Sequence, residues 1–422
     1  MKTYNSFEEV RAALARYVQA SPPSRTPYKL ERMTNLMAAL GNPQNALKIV
    51  HVAGTSGKTS TSYYTAAMLG QMGYKVGLTV SPHLDEVNER LQINLEPVPE
   101  QEYCQAFSEF HTLLIELDIQ PSYFELLVAF AFWYFERQAV DYAVIEVGLG
   151  GLLDGTNVIN REDKVCVITD IGIDHAAILG HSLSEIASQK AGIIMPGNHV
   201  FCYTQGPEVD VEIASRAAEQ SATLYASAYN AVQGESVHLP AFQRRNWQLA
   251  ARAYSYLAHR DNLRPMSADD WLVTQKTYIP GRMDIVQVQD KTIIMDGAHN
   301  PQKMAALISS LREILGQQKV TAVISFKEDK DIPETLKCLD GICETIIATE
   351  FIVQQDMEQR SMPAAELAEL CNGLAPTVLY QTTPLGALNK ALEAPNNTVV
   401  ICGSFFLLHQ VRPSIRTLTG KQ

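Results

Sequence analysis

Apolar residues along this chain gather in short, β-branched blocks that end in polar or glycine-rich turns, with helix-like stretches between them. In the first part the blocks are Ile49 to Val52, Val76 to Val80, Tyr142 to Val147 and Val165 to Ile168. In the last part they are Thr292 to Met295, Val320 to Ser325, Thr345 to Ala348 and Thr398 to Cys402. Such alternation predicts the α/β class, with parallel, doubly wound sheets. Two separate sheets are expected, and Ile279-Pro280-Gly281-Arg282 is a turn suited to a hinge between them. The expected domains are therefore 1–280 and 281–422.

Helix signals fit the same layout. Ser182 and Glu185 form a capping box ahead of Ile186 and Ala187, and Gly192 sits where a left-handed residue would end that helix. Asn300 and Pro301 suit an N-cap and first turn before Met304, Leu307, Ile308, Leu311 and Leu315. The most apolar run, Phe124 to Phe135, is too short to span a bilayer and contains Glu125, so a buried helix is expected.

Composition narrows the partners. The 422 residues allow two domains, and 46% hydrophobic with 19% charged residues is ordinary for a globular protein. A net charge of -12 repels a polyanionic backbone, which argues against nucleic acid as a main partner. Seven scattered cysteines without a C-x-x-C pair suit a reducing cytoplasm rather than a disulfide framework or zinc site. Charges run through Met1 to Arg16, so no signal peptide is expected, nor a membrane partner.

The block Ile49 to Val52 runs into Ala53-Gly54-Thr55-Ser56-Gly57-Lys58-Thr59-Ser60. A strand, a glycine turn and a helix start build a cradle of N–H groups for phosphate; Lys58 would reach the terminal phosphates and Thr59 would face Mg²⁺. Gly54 and Gly57 enclose two residues where the general motif has four. The alternative is a glycine turn with a surface lysine. Ligands of an open parallel sheet sit at the carboxyl ends of its strands, so the next residues to inspect are Ser81-Pro82-His83, Glu146 with Gly148-Leu149-Gly150-Gly151, and Thr169-Asp170 to Asp174-His175. Together they suit a Mg²⁺ shell, although magnesium prefers oxygen to the imidazole of His175. Singly, Ser81 reads equally as a turn residue, Glu146 as a paired buried carboxylate and His175 as a helix start.

These segments, with Asn88-Glu89-Arg90, Asp154 and Thr156-Asn157-Val158, Lys190-Ala191-Gly192-Ile193, Pro280-Gly281-Arg282 and Asp296-Gly297-Ala298-His299-Asn300-Pro301, resemble the folylpolyglutamate synthase and dihydrofolate synthase family over nearly the whole chain. That family belongs with the Mur-type amide ligases. The resemblance implies an N-terminal P-loop-type parallel-sheet ATPase domain and a smaller, Rossmann-like C-terminal domain. It implies a cytoplasmic, monomeric enzyme that uses ATP and Mg²⁺ to join L-glutamate to dihydropteroate or a reduced folate. The acceptor carboxylate takes the γ-phosphoryl of ATP, and the glutamate amine attacks the acyl phosphate. Residues carried over by likeness are Gly54, Thr55, Ser56, Gly57, Lys58, Thr59 and Ser60 on the nucleotide, and Thr59, Ser81, Glu146 and His175 at two metal sites. Lys190 is implied to be carbamylated beside the metal; otherwise it reads as a helix C-terminal lysine on the negative end of the dipole. Arg282, Asp296 and His299 are implied on ATP, His299 among the catalytic groups, and Asn246 near the adenine. Asp296 and His299 otherwise read as a turn capped by Asn300.

Three departures stand out. The phosphate loop Thr55-Ser56-Gly57-Lys58-Thr59-Ser60 is closer to the Mur ligases, Leu152 stands where the family commonly has arginine, and Pro240-Ala241-Phe242-Gln243 replaces a more usual glycine and a tyrosine or histidine. Lys29-Leu30-Glu31-Arg32-Met33 resembles the family's pteroate loop, with Pro27 and Tyr28 completing an apolar slot. The same residues also read as an amphipathic helix carrying Met33, Leu36, Met37 and Leu40 on one face. A ligase for a non-folate carboxylate, and a nucleotide-binding regulator without turnover, are the other readings.

Overall fold

The computed structural model describes residues 2–20, 29–229, 239–328, 330–355 and 357–419. Its chain divides into two compact units: Met1–Leu239 with Gln243–Thr277, and Pro240–Phe242 with Tyr278–Gln422.

The first unit contains α1 (Phe7–Ala20), α2 (Glu31–Ala39), β1 (Ile49–Ala53), α3 (Lys58–Gln71), β2 (Val76–Thr79), β3 (Gln92–Ile93) and β4 (Glu96–Pro97). It continues with α4 (Glu100–Glu116), α5 (Tyr123–Arg137), β5 (Tyr142–Glu146), β6 (Val165–Ile168), α6 (Ala176–Leu179), α7 (Leu183–Ala191) and β7 (His199–Tyr203). Then come α8 (Pro207–Glu219), β8 (Thr223–Ser227), α9 (Ala241–Arg260) and α10 (Ala268–Gln275). Among the described residues its sheet runs β4-β3-β2-β5-β1-β6-β7-β8, parallel except at β3 and β4. β1, β5 and β6 are buried along their whole length, which is why they read as continuous apolar runs. Because β1 lies between β5 and β6, the loop after β1 emerges flanked by the ends of both, with Val52 opposite Glu146 and Ala53 opposite Ile168.

One face is covered by α1, α2, α4 and α5, whose core includes Phe107, Phe110, Phe130 and Phe135. The expected buried helix is α5; Ser122 and Glu125 cap it reciprocally. Among the described residues no helix is long and apolar enough to cross a membrane.

The second unit contains β9 (Asp284–Val288), β10 (Lys291–Met295), α11 (Pro301–Leu315), β11 (Val320–Ile324), α12 (Ile332–Lys337) and β12 (Cys343–Thr349). It closes with β13 (Ile352–Gln355), β14 (Met357–Arg360), α13 (Ala364–Leu370), β15 (Thr377–Gln381), α14 (Pro384–Glu393), β16 (Thr398–Cys402) and α15 (Phe405–Thr419). Among the described residues its main sheet runs β15-β12-β11-β16-β10-β9, parallel except at β9, and β13 and β14 form a separate hairpin.

Two expectations change. Gly192 follows α7 in right-handed rather than left-handed conformation, at φ -56 and ψ -17. Its lack of a side chain serves packing instead, because a Cβ there would collide with Leu152. Residues 31–33 are not a loop: they open α2, and Met33, Leu36 and Met37 are buried in the core. Arg32 is held by the Glu125 carboxylate at 2.6 Å. Met33 is thus unavailable to an apolar slot, and Pro27 and Tyr28 lie outside the described residues.

Candidate active site

The loop from Gly54 to Gly57 joins the buried β1 to α3 through two positions that exclude a side chain. Gly54 has φ +150, and a Cβ on it would run into the Thr169 hydroxyl. Gly57 has φ +91, and a Cβ there would run into the Asn246 amide oxygen. Between them, Thr55 N–H and Ser56 N–H both donate to the Asp170 carbonyl, at 2.8 and 3.1 Å. The Thr55 hydroxyl donates to Gly172 O at 3.0 Å. Gly57 is the N-cap of α3 and offers no capping side chain, so the first amides of that helix present positive dipole ends without a side-chain acceptor. Lys58, Thr59 and Ser60 form its first turn.

Lys58 Nζ donates to Gly54 O at 3.1 Å, and Lys190 Nζ donates to the same oxygen at 2.9 Å. Two ammonium groups therefore share one carbonyl, the Lys190 side chain buried at 4% exposure and Lys58 half-buried. Lys190 is the last but one residue of α7, and the glycine loop after β5 is fastened to that helix end. Leu152 N–H donates to Gln189 O at 2.7 Å, and a Cβ on Gly151 would come within 2.7 Å of the same oxygen.

Across β1, the Glu146 carboxylate accepts from the Thr59 hydroxyl at 2.9 Å and from Ser81 N–H at 3.2 Å. Thr59 and Ser81 thus both meet Glu146, Thr59 through its hydroxyl and Ser81 through its backbone amide; the Thr59 hydroxyl and the Glu146 carboxylate are the kind of oxygens that a hard divalent cation favours. Among the described residues no three His, Cys, Asp or Glu side chains cluster as a metal site. The expected set has only two residues of those types, Glu146 and His175, so its fit rests on hydroxyl groups as well. His175 is placed by a different anchor: it has φ +52 at the start of α6, and its imidazole is 42% exposed and 3.8 Å from the Asp174 carboxylate.

Asp154 underpins the glycine loop. Its carboxylate accepts from Leu149 N–H at 2.8 Å and from the Thr156 amide and hydroxyl at 2.9 and 2.6 Å. The Thr156 oxygen in turn lies 2.8 Å from His51 Nε2. Burial pushes the Asp154 carboxyl up from its ordinary range, against these hydrogen bonds, and pushes the His51 imidazole down. Beside this loop lies a pocket lined by Ser81, Arg90, Phe124, Leu127, Val128 and Glu146. Arg90 is buried, donates from Nε to His83 Nδ1 at 2.8 Å and lies over the Tyr123 ring. Sequence reasoning read Phe124 only as part of a buried helix. Nothing in the chain order shows that it faces Gly148, where a Cβ would strike its ring.

In the second unit, Arg282, Asp296 and His299 stand together. The buried Asp296 carboxylate accepts from Met283 N–H at 2.9 Å and Ala298 N–H at 2.8 Å; burial raises its pKa, opposed by the Arg282 charge and those amides. Arg282 lies over the Phe405 ring at 4.3 Å. His299 Nδ1 pairs with Gly297 O at 2.8 Å and Nε2 with the Lys303 ammonium at 3.1 Å, so the proton of the neutral ring sits on Nδ1. Asn300 caps α11 as expected, accepting from Lys303 N–H.

With this geometry in hand, the chain compares closely with known proteins. Residues 52–200 match the Mur ligase middle domain and residues 281–405 the Mur ligase, glutamate ligase domain. The dihydrofolate synthetase of Saccharomyces cerevisiae is 31% identical over 409 residues, which cover 90% of this chain and 95% of that protein. The structure of Escherichia coli FolC in complex with DHPP and ADP superposes with a TM-score of 0.82 at 27% identity, covering 97% of this chain and 98% of the other. The bifunctional folylpolyglutamate synthase/dihydrofolate synthase of Yersinia pestis, complexed with AMPPNP and Mn ion, gives 0.81 at 27% identity, covering 96% and 98%.

The loop geometry carries its own prediction. Gly57→Ala forces a side chain into a left-handed position against Asn246 and should cost about 1–3 kcal/mol of stability. Urea unfolding measures it, and an unchanged midpoint would contradict the close packing.

Proposed function

Because the chain belongs to the folylpolyglutamate synthase and dihydrofolate synthase family, we propose an assignment of its residues to the steps of glutamate ligation. It is an ATP-dependent ligase that joins L-glutamate to a folate-type carboxylate. A carboxylate is a poor electrophile, so the γ-phosphoryl of ATP is first transferred to the acceptor. The glutamate amine then attacks the acyl carbon, the C–O bond to phosphate breaks, and phosphate leaves as the amide forms. Phosphoryl transfer asks for positioning and charge neutralisation more than for covalent help. The α3 amides and Lys58 receive the phosphates. By likeness to the family Arg282 and Asp296 are assigned to ATP, and Gly297 and Lys303 orient His299. Asn246 borders the loop at Gly57.

Thr59, Ser81, Glu146, His175 and Lys190 are the proposed metal-holding residues, shared between two sites. A divalent cation there supplies screening of phosphate charge when bound. The shared Gly54 carbonyl is the observation that favours carbamylation of Lys190. Adding CO₂ to its amine, with release of a proton, would replace one of two adjacent cations by an anionic oxygen ligand. Seven free cysteines accord with the proposed cytoplasmic setting.

The observation that carries this reading is the pair of contacts at the ends of β1 and β5: Lys58 and Lys190 share the Gly54 carbonyl, and Thr59 and Ser81 share the Glu146 carboxylate. Its test is product analysis after incubation with ATP, Mg²⁺, L-glutamate and either dihydropteroate or a reduced folate. No glutamylated product from either acceptor would reject the assignment. Lys58→Ala should reduce turnover at least ~10²–10³-fold, the usual cost of losing one group that stabilises developing charge. Near-normal turnover in a folded, ATP-saturated variant would rule out its role.

Lys190→Ala should lose activity and regain part of it when a short carboxylic acid such as acetate is supplied in place of the carbamate. An unmodified lysine away from the metal, in crystals grown with AMPPNP and bicarbonate, would refute the modification.

Leu152 bears on the acceptor. It is 37% exposed and tied to α7, and it brings no charge to a glutamate tail. Loss of one charge-assisted contact weakens binding by about 1.5–3 kcal/mol, roughly ten-fold or more. Dihydropteroate, which has no such tail, should therefore show a higher kcat/KM than folates that already carry one. The opposite preference would discard the argument from Leu152.

A further inference from the structure

Asp170 follows β6, and its backbone carbonyl takes both N–H groups at the turn of the phosphate loop, from Thr55 and Ser56. Those two amides are consequently committed inward, and the orientation of the whole turn follows the position of one carbonyl oxygen. Asp170 is in turn gripped by its side chain. Arg245 donates from Nε to both carboxylate oxygens, at 2.9 and 3.0 Å, and from its terminal nitrogen at 2.6 Å. The guanidinium lies over two rings, Tyr203 at 4.5 Å and Tyr229 at 4.9 Å, and the two rings meet edge to face. The Tyr203 hydroxyl donates to the Arg245 carbonyl at 3.4 Å. A planar fork held by two aromatic faces has few ways to move, and its carboxylate partner moves with it.

The adjoining residues of α9 act on the same loop. Asn246 fills the space against Gly57, and Gln243 accepts a hydrogen bond from Tyr64 on α3. The first turns of α9 therefore brace the loop at its middle, its end and its following helix.

We propose that Arg245 is a positioning residue for nucleotide binding: by fixing Asp170 it holds the Thr55–Ser56 turn in the shape that receives phosphate. This inference rests on the reading of residues 54–60 as the nucleotide site. Neither Arg245 nor Asp170 touches the nucleotide in this scheme, so their effect falls on nucleotide affinity and not on the glutamate step.

Calorimetric titration of the full-length protein with Mg²⁺ and AMPPNP tests it, using Arg245→Met, Arg245→Lys, Asp170→Asn and the double variant Arg245→Met with Asp170→Asn. Arg245→Met and Asp170→Asn should each weaken AMPPNP at least ten-fold. The double variant should be no weaker than the poorer single, because both remove one device. Arg245→Lys, which keeps the charge and loses the fork, should fall between Arg245→Met and the unaltered protein. The KM for L-glutamate should stay within two-fold throughout. Unchanged AMPPNP affinity in a folded Arg245→Met or Asp170→Asn protein overturns the proposal, as do additive losses in the double variant. A parallel rise in the glutamate KM would assign the pair to general stability and overturn it too. Should Arg245→Met fail to fold, Arg245→Lys and Asp170→Asn decide the matter by the same affinity criterion. Failure of the unaltered protein to bind AMPPNP would instead overturn the nucleotide reading itself, and the clamp with it.

Discussion

The absence of a Cβ at Gly54 and Gly57 is the constraint on which the rest of the first unit's site depends. At Gly54 the backbone passes against Thr169, the residue after β6; at Gly57 it passes against Asn246 of α9. Only because the chain can approach so closely at both points does the Asp170 carbonyl reach Thr55 and Ser56. The same approach leaves the Gly54 carbonyl exposed to both Lys58 and Lys190. A side chain at either glycine would lift the loop off its neighbours and separate groups contributed by β1, β6, α7 and α9.

The glycines after β5 extend the same logic to a second loop. Gly151 presses on the backbone of Gln189 and Lys190, and Gly192 leaves room for Leu152, so the loop and the end of α7 are one packed object. Lys190 is consequently positioned by the Gly148–Leu152 turn as much as by its own helix. Asp154 completes this by accepting Leu149 N–H from a buried site, where three hydrogen bonds offset part of the cost of desolvating a carboxylate. In the second unit Asp296 plays a comparable part: it ties Met283 and Ala298 amides to the end of β10 and so shapes the turn that presents Arg282 and His299.

Much of this was legible in the chain itself, because the signals are local. Continuous apolar runs report strands buried on both faces, and the central strands β1, β5, β6, β10, β11, β12 and β16 are of that kind. The Ser182–Glu185 capping box and the Asn300-Pro301 helix start are short-range chemistry within a few residues, and both formed as read. The Gly-x-x-Gly-Lys-Thr turn is a run of adjacent residues, so its place between a strand and a helix was legible in sequence. The edge strands β8 and β15 gave no such signal: their half-exposed pattern lacks the apolar run, and neighbouring strands stabilise them through backbone pairing.

What only the tertiary structure decided are the contacts between residues far apart in the chain. Phe124 faces Gly148, Arg245 grips Asp170, and Lys190 meets Gly54 across 136 positions. No local pattern encodes these, since each depends on the order in which strands are laid side by side. Residues 31–33 show the reverse dependence. Their helical periodicity and their likeness to a binding loop were both visible, and the choice fell to packing, because burying Met33 with Leu36 and Met37 removes apolar surface from water. The sequence by itself determined the buried central strands, the capped helix starts and the place of the glycine turn after β1. The three-dimensional arrangement decided which charges share an oxygen, because Coulomb and hydrogen-bond energies depend on distance in space and not along the chain.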